Sequence, residues 1–349
     1  MSAGELLVLF RIKNTVQVFF AELPANDVSS LSMRGPFDIP GAGISDEAGS
    51  PIFDYNRDQI LWASISGEGQ SFHTCRLDPH FSLVSSETIT TDSDIRGPPF
   101  IILDGKTVTV AGGGRRANVA MFRRGQDNKW STLDFKSTPK MDDVENVRAT
   151  VVYKPSTNAP LKYIFAFRLG HGYLAIDTIR ESSFNDLSRD DSIRWQHFQS
   201  TIGEFQLRKE AWAPIVIHDR TTRKNRLYIF TYINDRGFAY AFFPLRQDGS
   251  IDSYKQSIKA ECSQLLSTSI ITPNSKRVKV HESEGRLLLL VETGDKKNPV
   301  LCYTGYIQKN GLAPEKNDWK MVTLGFDMSE ADRDVEAAFS SIITPGSYQ

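Results

Sequence analysis

The last residues of this sequence repeat a phrase met earlier in it. Phe339-Ser340-Ser341-Ile342-Ile343-Thr344-Pro345-Gly346-Ser347 echoes Leu266-Ser267-Thr268-Ser269-Ile270-Ile271-Thr272-Pro273-Asn274-Ser275. Further strand-like runs follow the earlier copy. The continuation of the later copy stands at the other end, where Glu5-Leu6-Leu7-Val8-Leu9-Phe10-Arg11 reads like Gly285-Arg286-Leu287-Leu288-Leu289-Leu290-Val291. A repeat unit divided between the two ends closes a ring, and a linear solenoid has no use for one.

Periodicity along the chain is of the strand kind. Tyr163-Ile164-Phe165-Ala166-Phe167 and Leu227-Tyr228-Ile229-Phe230-Thr231-Tyr232 are short, rich in β-branched and aromatic residues, and bounded by Gly, Asn, Asp and Pro. Such runs align into a recurring unit of four strands. The first is apolar, as in Pro99-Phe100-Ile101-Ile102-Leu103, and the unit beginning at 266 opens on Thr268-Ser269-Ile270-Ile271. The fourth often starts on tryptophan, as at Trp130, Trp195 and Trp319.

The spacing predicts an all-β single domain over 1–349, a six-bladed β-propeller of four-stranded blades. The blades fall at about 50–91, 97–137, 147–200, 211–258 and 266–326, with a composite of 338–349 and 4–34 closing the ring. Short helical turns are expected over 329–338 and 205–210, between blades.

The formal net charge is −1 and the pI about 6.6, which gives no basic field for nucleic acid. No apolar run approaches the roughly 20 residues of a membrane helix. The N-terminus lacks the basic and apolar regions of a secretory signal. The cysteines, Cys75, Cys262 and Cys302, sit in or near strand-like runs and read as buried thiols of a reducing compartment. The expectation is a cytoplasmic protein with no nucleic-acid or membrane partner.

Motif chemistry is sparse. Ala111-Gly112-Gly113-Gly114-Arg115-Arg116 is followed by a strand, whereas a phosphate loop opens a helix, so it reads as a hairpin turn. Histidines stand singly, with no metal-ligand spacing, and no nucleophile elbow occurs. No metal and no cofactor is expected.

Ring geometry narrows the search. Loops from strand four to the next strand one share a face with turns from strand two to strand three, around the mouth of the central channel. There the sequence places Lys13, Arg115, Arg116, His171 and Arg236 in turns, and Arg96, Arg148, Trp212 and Phe339 in the inter-blade loops. Cations, a histidine and aromatics on one face suit a planar or anionic organic ligand. The plainer alternative is that loops are polar because they are solvated. The segment 35–50 is long and rich in Pro and Gly, which fits a lid over the mouth or a slack connection.

In blade pattern the chain resembles the fungal fucose-specific lectin propellers. That family repeats an Arg, a Glu and an aromatic residue in successive blades. The stretch from Tyr303 through Trp319 is nearest to such a blade; Val119 through Trp130 supplies the Arg and the Trp but no Glu; the unit from 211 supplies neither Arg nor Trp in place. A multivalent lectin needs its site repeated, because avidity supplies most of its binding.

The chain also resembles, in overall character, the lectin-like propellers of fungal specialised metabolism. These hetero-Diels–Alderases join a tropolone o-quinone methide to a humulene-type sesquiterpene. That likeness implies a hydrophobic small-molecule substrate; loop geometry, not a family motif, picks Arg148, His171 and Arg116 as the donors of hydrogen bonds to the reacting partners. Trp212, Arg96, Arg115, Arg236, Phe339 and Lys13 would bind the substrate. A cyclase of this kind ranks first, a lectin with degenerate sites second, and a protein-interaction propeller third.

Overall fold

The computed structural model describes residues 5–45, 47–54, 56–66, 70–90, 95, 98–104, 107–113, 119–124, 129–134, 144–153, 160–169, 174–180, 211–219, 222–233, 237–251, 263–264, 277–293, 299–326 and 337–343. The first blade holds β1 (Leu6–Ile12), β2 (Val16–Glu22) and β3 (Ser30–Ile39). The second is β4 (Ile52–Asp54), β5 (Gln59–Ser66), β6 (Ser71–Leu77) and β7 (Leu83–Thr90). The third is β8 (Phe100–Asp104), β9 (Thr107–Gly113), β10 (Val119–Arg124) and β11 (Trp130–Asp134). The fourth shows β12 (Val144–Tyr153), β13 (Pro160–Leu169) and β14 (Leu174–Arg180). The fifth is β15 (Trp212–Asp219), β16 (Lys224–Ile233), β17 (Gly237–Pro244) and β18 (Ser263–Gln264). The sixth is β19 (Arg277–Ser283), β20 (Arg286–Glu292), β21 (Val300–Tyr306) and β22 (Lys320–Phe326). The last strand, β23 (Ala337–Ile343), completes the first blade.

β23 lies antiparallel to β1, from Leu6 opposite Ile343 to Ile12 opposite Ala337. The two ends of the sequence therefore share one sheet, and the fold is a six-bladed β-propeller closed by a composite blade. The repeat seen at the second-strand level corresponds to β1 and β20, which occupy the same place in their blades. The first-strand expectation in the sixth blade is corrected. Residues 268–271 lie outside the described residues, and the strand that pairs with β20 is β19, several residues later. Ala337 and Ala338 belong to β23 and not to a helix; 329–336 and 205–210 lie outside the described residues.

The core sits between blades, because each blade is covered on both faces. β20 shows why its sequence is a continuous apolar run. Leu287, Leu289 and Val291 pack towards the fifth blade with Tyr228, Phe230 and Trp319. Leu288 and Leu290 point the other way, into a cluster with Leu7, Leu9 and Phe19 of the first blade. The period of two is intact, but both phases are buried. β1 divides likewise: Leu7 and Leu9 face the sixth blade, while Val8, Phe10 and Ile12 meet Trp62 of the second.

The junction of the first and sixth blades has a second closure at its rim. Ser30–Met33 of β3 run parallel to Thr323–Phe326 of β22, and the later half of β3 returns to pair with β2. The strand bends at Gly35, whose φ is +123°; a Cβ there would meet the Val18 carbonyl oxygen at 2.6 Å. Only glycine fits both the angle and the space. One strand thus serves two blades and covers an outer edge that each would otherwise expose.

The segment 35–50 is neither a lid nor slack. After β3 it packs along the second blade, with Ala42, Ile44 and Ala48 in the core shared with Trp62. Its polar groups are used: His73 Nε2 meets the Ala42 carbonyl at 2.9 Å, and Trp62 Nε1 donates to the Gly49 carbonyl at 2.8 Å. Ser45 donates through its hydroxyl to the Ile65 carbonyl at 2.6 Å.

Candidate functional site

First strands start, and second strands end, on the same face of a propeller. On that face β12, β15, β19, β20 and β23 bring together Arg148, Trp212, Arg277, Lys279, Glu292, Phe339 and Ser340. Arg277 stands opposite Glu292 in the register of β19 and β20, and β19 alternates Arg277, Lys279 and His281 with Val278 and Val280. The valines pack towards the fifth blade. The alternate side chains turn to the first blade, where polar partners receive them.

Glu292 is the centre of this cluster and is only 3% exposed. Lys279 Nζ lies 3.0 Å from its Oε1, and Arg277 Nη1 lies 3.6 Å from its Oε2. Ser340 donates to Oε1 through its backbone N–H at 2.9 Å and its hydroxyl at 3.2 Å. Lys279 also donates to the Ser340 carbonyl at 2.7 Å, so β19 and β23 are tied through one carboxylate. A carboxylate so buried is stable as an ion only with such donors around it.

Two arginines lie over buried rings. Arg277 is centred 4.4 Å from the Phe339 ring, and Arg148 is 5.9 Å from Trp212. Phe339 and Trp212 have no exposed surface, so each ring reaches a ligand only through the arginine above it. Burial, first of all, lowers the pKa of Lys279; Glu292 opposes that, and the charges of Arg277 and Arg148 add to it. Arg148 belongs to the fourth blade and Lys279 to the sixth, yet they sense each other across the fifth. Both therefore reach towards the axis. Lys279 and Arg277 share the Glu292 carboxylate, and the Arg148 charge acts on Lys279 as well, so cationic donors gather at this place.

Of the residues singled out in the sequence, Arg148, Trp212 and Phe339 join this cluster. Lys13 is half-buried in the turn between β1 and β2, its N–H donating to the Thr15 carbonyl. Arg96, Arg115, Arg116, His171 and Arg236 lie outside the described residues. Arg277, Lys279 and Glu292 were not anticipated. Their signal was present in the alternation of Arg277-Val278-Lys279-Val280-His281, hidden by the more apolar Ile270-Ile271 upstream.

A second polar site lies between the second and third blades. Glu87 of β7 takes Arg124 of β10 in a two-point pairing, Nη2 to Oε1 at 3.1 Å and Nη1 to Oε2 at 3.2 Å. Trp130 Nε1 donates to the same Oε2 at 2.7 Å, and the Arg124 guanidinium lies 5.8 Å from the Trp130 ring. The glutamate missing from the third blade's own sequence is thus supplied by its neighbour. Among the described residues no group of His, Cys, Asp and Glu is arranged to hold a metal ion. Burial pushes the Cys75 and Cys302 thiols up to about 12, so neither is a nucleophile near neutral pH.

No family model matches the sequence, and no curated protein is detectably similar to it in sequence. Solved structures match its fold. A variant of AofleA from Arthrobotrys oligospora superposes with a TM-score of 0.58 at 9% identity, covering 99% of this chain and 88% of that one. The Aleuria aurantia lectin, a fungal six-bladed β-propeller with a fucose recognition mode, gives 0.58 at 8% identity and 93% coverage of both chains. The periplasmic gluconolactonase PpgL of Pseudomonas aeruginosa gives 0.50 at 14% identity, covering 90% of this chain and 82% of that one. At such identities the likeness is one of fold: fungal lectin propellers and lactonase-type propellers share this ring.

Proposed function

We propose that the chain is a cyclase of fungal specialised metabolism. It would catalyse an intermolecular hetero-Diels–Alder reaction between a tropolone o-quinone methide and a humulene-type sesquiterpene at the axial cluster. The supporting observation is that Arg277 and Lys279 gather on the buried Glu292, with Arg148 near enough for its charge to act on Lys279. In this reaction the methide carbon bonds one alkene carbon and the quinone-methide oxygen bonds the other. Two σ bonds form from π electrons, and nothing is oxidised or reduced. Cationic donors on the oxygens draw electron density from the heterodiene and stabilise charge that builds there. Holding the alkene in near-attack geometry supplies the remaining acceleration. Neither effect requires a nucleophile or a metal.

The test is cycloadduct formation from a quinone methide generated in situ with humulene. The expected result is one stereoisomer formed faster than in buffer. Product formed at the buffer rate, with the buffer's isomer ratio, overturns the reading.

A second reading is favoured by Arg124, Glu87 and Trp130: a saccharide site between blades. It predicts sugar binding that Trp130→Ala abolishes while the cycloaddition is unchanged. A titration showing no sugar bound removes it.

A further inference from the structure

The wedge between the second and third blades is apolar at one end and charged at the other. On one face of β6 lie Phe72, Thr74 and Arg76; opposite them on β7 lie Ile89, Glu87 and Ser85. At the first end Ile65, Phe72 and Ile89 pack against Ile95, Val110 and Phe122. Further along the same faces come Arg76 and Glu87 from the second blade, and Arg124 with Trp130 opposite it from the third.

Arg76 forms the floor of this charged end. It is 5% exposed. Its Nη1 has only long contacts, 3.6 Å to Asp54 Oδ2 and 3.4 Å to Gln59 Oε1. Its Nη2 is buried with no hydrogen-bond partner. A buried donor on a charged group left in that state is costly, and native interiors rarely contain one. Arg57 and Arg124 are close enough for their charges, after burial itself, to hold the Arg76 pKa below the usual arginine range. Asp54 pairs with Arg57 and Arg76, and Glu87 with Arg124.

We propose that this cleft binds an oxyanion, a carboxylate or sulfate carried on a sugar ring, with Arg76 at its floor and Arg124 at its rim. The inference deepens the second reading above and rests on it for the sugar ring alone; the anion contact stands on Arg76. A planar carboxylate or a sulfate face matches the guanidinium fork and would satisfy the unused Nη2. Trp130, half-buried at the rim, offers an apolar surface for the ring.

The experiment is calorimetric titration of the full chain with glucuronate, fucose and sodium sulfate at fixed ionic strength. Glucuronate should bind at least about tenfold tighter than fucose. Arg76→Gln should erase that difference, and Trp130→Phe should weaken both sugars alike. Fucose binding as tightly as glucuronate overturns the anion inference and leaves the saccharide reading standing. Sulfate binding without any sugar binding supports the anion site and overturns the saccharide reading. No binding of any of the three overturns both. Should Arg76→Gln fail to fold, Arg124→Gln at the rim serves instead: unchanged sulfate affinity in that variant overturns the proposal, and a loss of about tenfold or more supports it.

Discussion

At the axis, Arg148 and Arg277 cover rings that have no exposed surface, whereas in the cleft between the second and third blades Arg124 shares the rim with a half-buried Trp130. The buried rings act as a floor that fixes where the cations stand. The rim tryptophan is a wall that a ligand can touch. The carboxylates differ in the same sense. Glu292 is 3% exposed and takes four donor contacts from three residues, while the Glu87 side chain is 34% exposed and takes its donors from one neighbouring blade. The axial cluster is built to hold charge in a fixed place, and the cleft to exchange it with solvent. Orientation and electrostatics belong to the first, stacking and reversible binding to the second.

The largest test of that contrast is Glu292→Gln. The amide keeps the shape but removes the carboxylate charge that Lys279 and Arg277 share. Removing one partner of a buried ion pair costs about 3 kcal/mol. Urea unfolding should show a loss of that order, and an unchanged midpoint would mean that the axial cations are screened by solvent. Glu87→Gln, in the exposed pair, should cost about 1 kcal/mol or less by the same measurement.

Next in size is Lys279→Met. Losing one donor to a developing oxyanion lowers turnover about a hundredfold. Stability should fall as well, because Glu292 loses its 3.0 Å partner and the Ser340 carbonyl its donor. An unchanged melting temperature would mean that the remaining donors alone hold the Glu292 charge. Substrate handling in the parent should decline as pH rises through the lowered lysine pKa, earlier than the ordinary 10.5.

The smallest effect concerns the seam where the ring closes. Glu5 meets His281 Nε2 at 3.3 Å and Arg286 Nη2 at 3.9 Å. Burial alone would raise the Glu5 pKa; hydrogen bonds from His281 and Ser283 and the charges of His281 and Arg286 outweigh it and leave the pKa lowered. A lowered carboxylate contributes stability above its unfolded pKa and loses it as pH falls below about 4.3. Glu5→Gln should therefore flatten the acid limb of the melting curve slightly. An identical acid limb in both proteins would remove Glu5 from the account.

Much of the ring was legible because a scaffold that repeats leaves its pattern in the chain. The run Arg286–Glu292 and its counterpart Leu6–Ile12 are apolar at nearly every place since both faces are covered. β19 was misplaced for the same reason in reverse: as an inner strand with one polar face it is less apolar than residues just before it. Glu87 escaped because a site spanning two blades has no fixed spacing within one. The segment 35–50 read as loose from its Gly and Pro content, and only the packing of Ala42, Ile44 and Ala48 reveals that it is held. Polar contacts across a junction are set by tertiary geometry, and local composition carries no record of them.

Leu6 and Ile343 face each other across β1 and β23, at the opposite end of that ladder from Ile12 and Ala337. A tag, surface linkage or added domain joined near either residue would leave from the same spot on the underside of the ring. Immobilised that way, the molecule would stand with its channel mouth turned to the bulk solution. Two-ended tethering would load the β1–β23 ladder from its first rung, opening it bond by bond while the rim contact of β3 with β22 still holds.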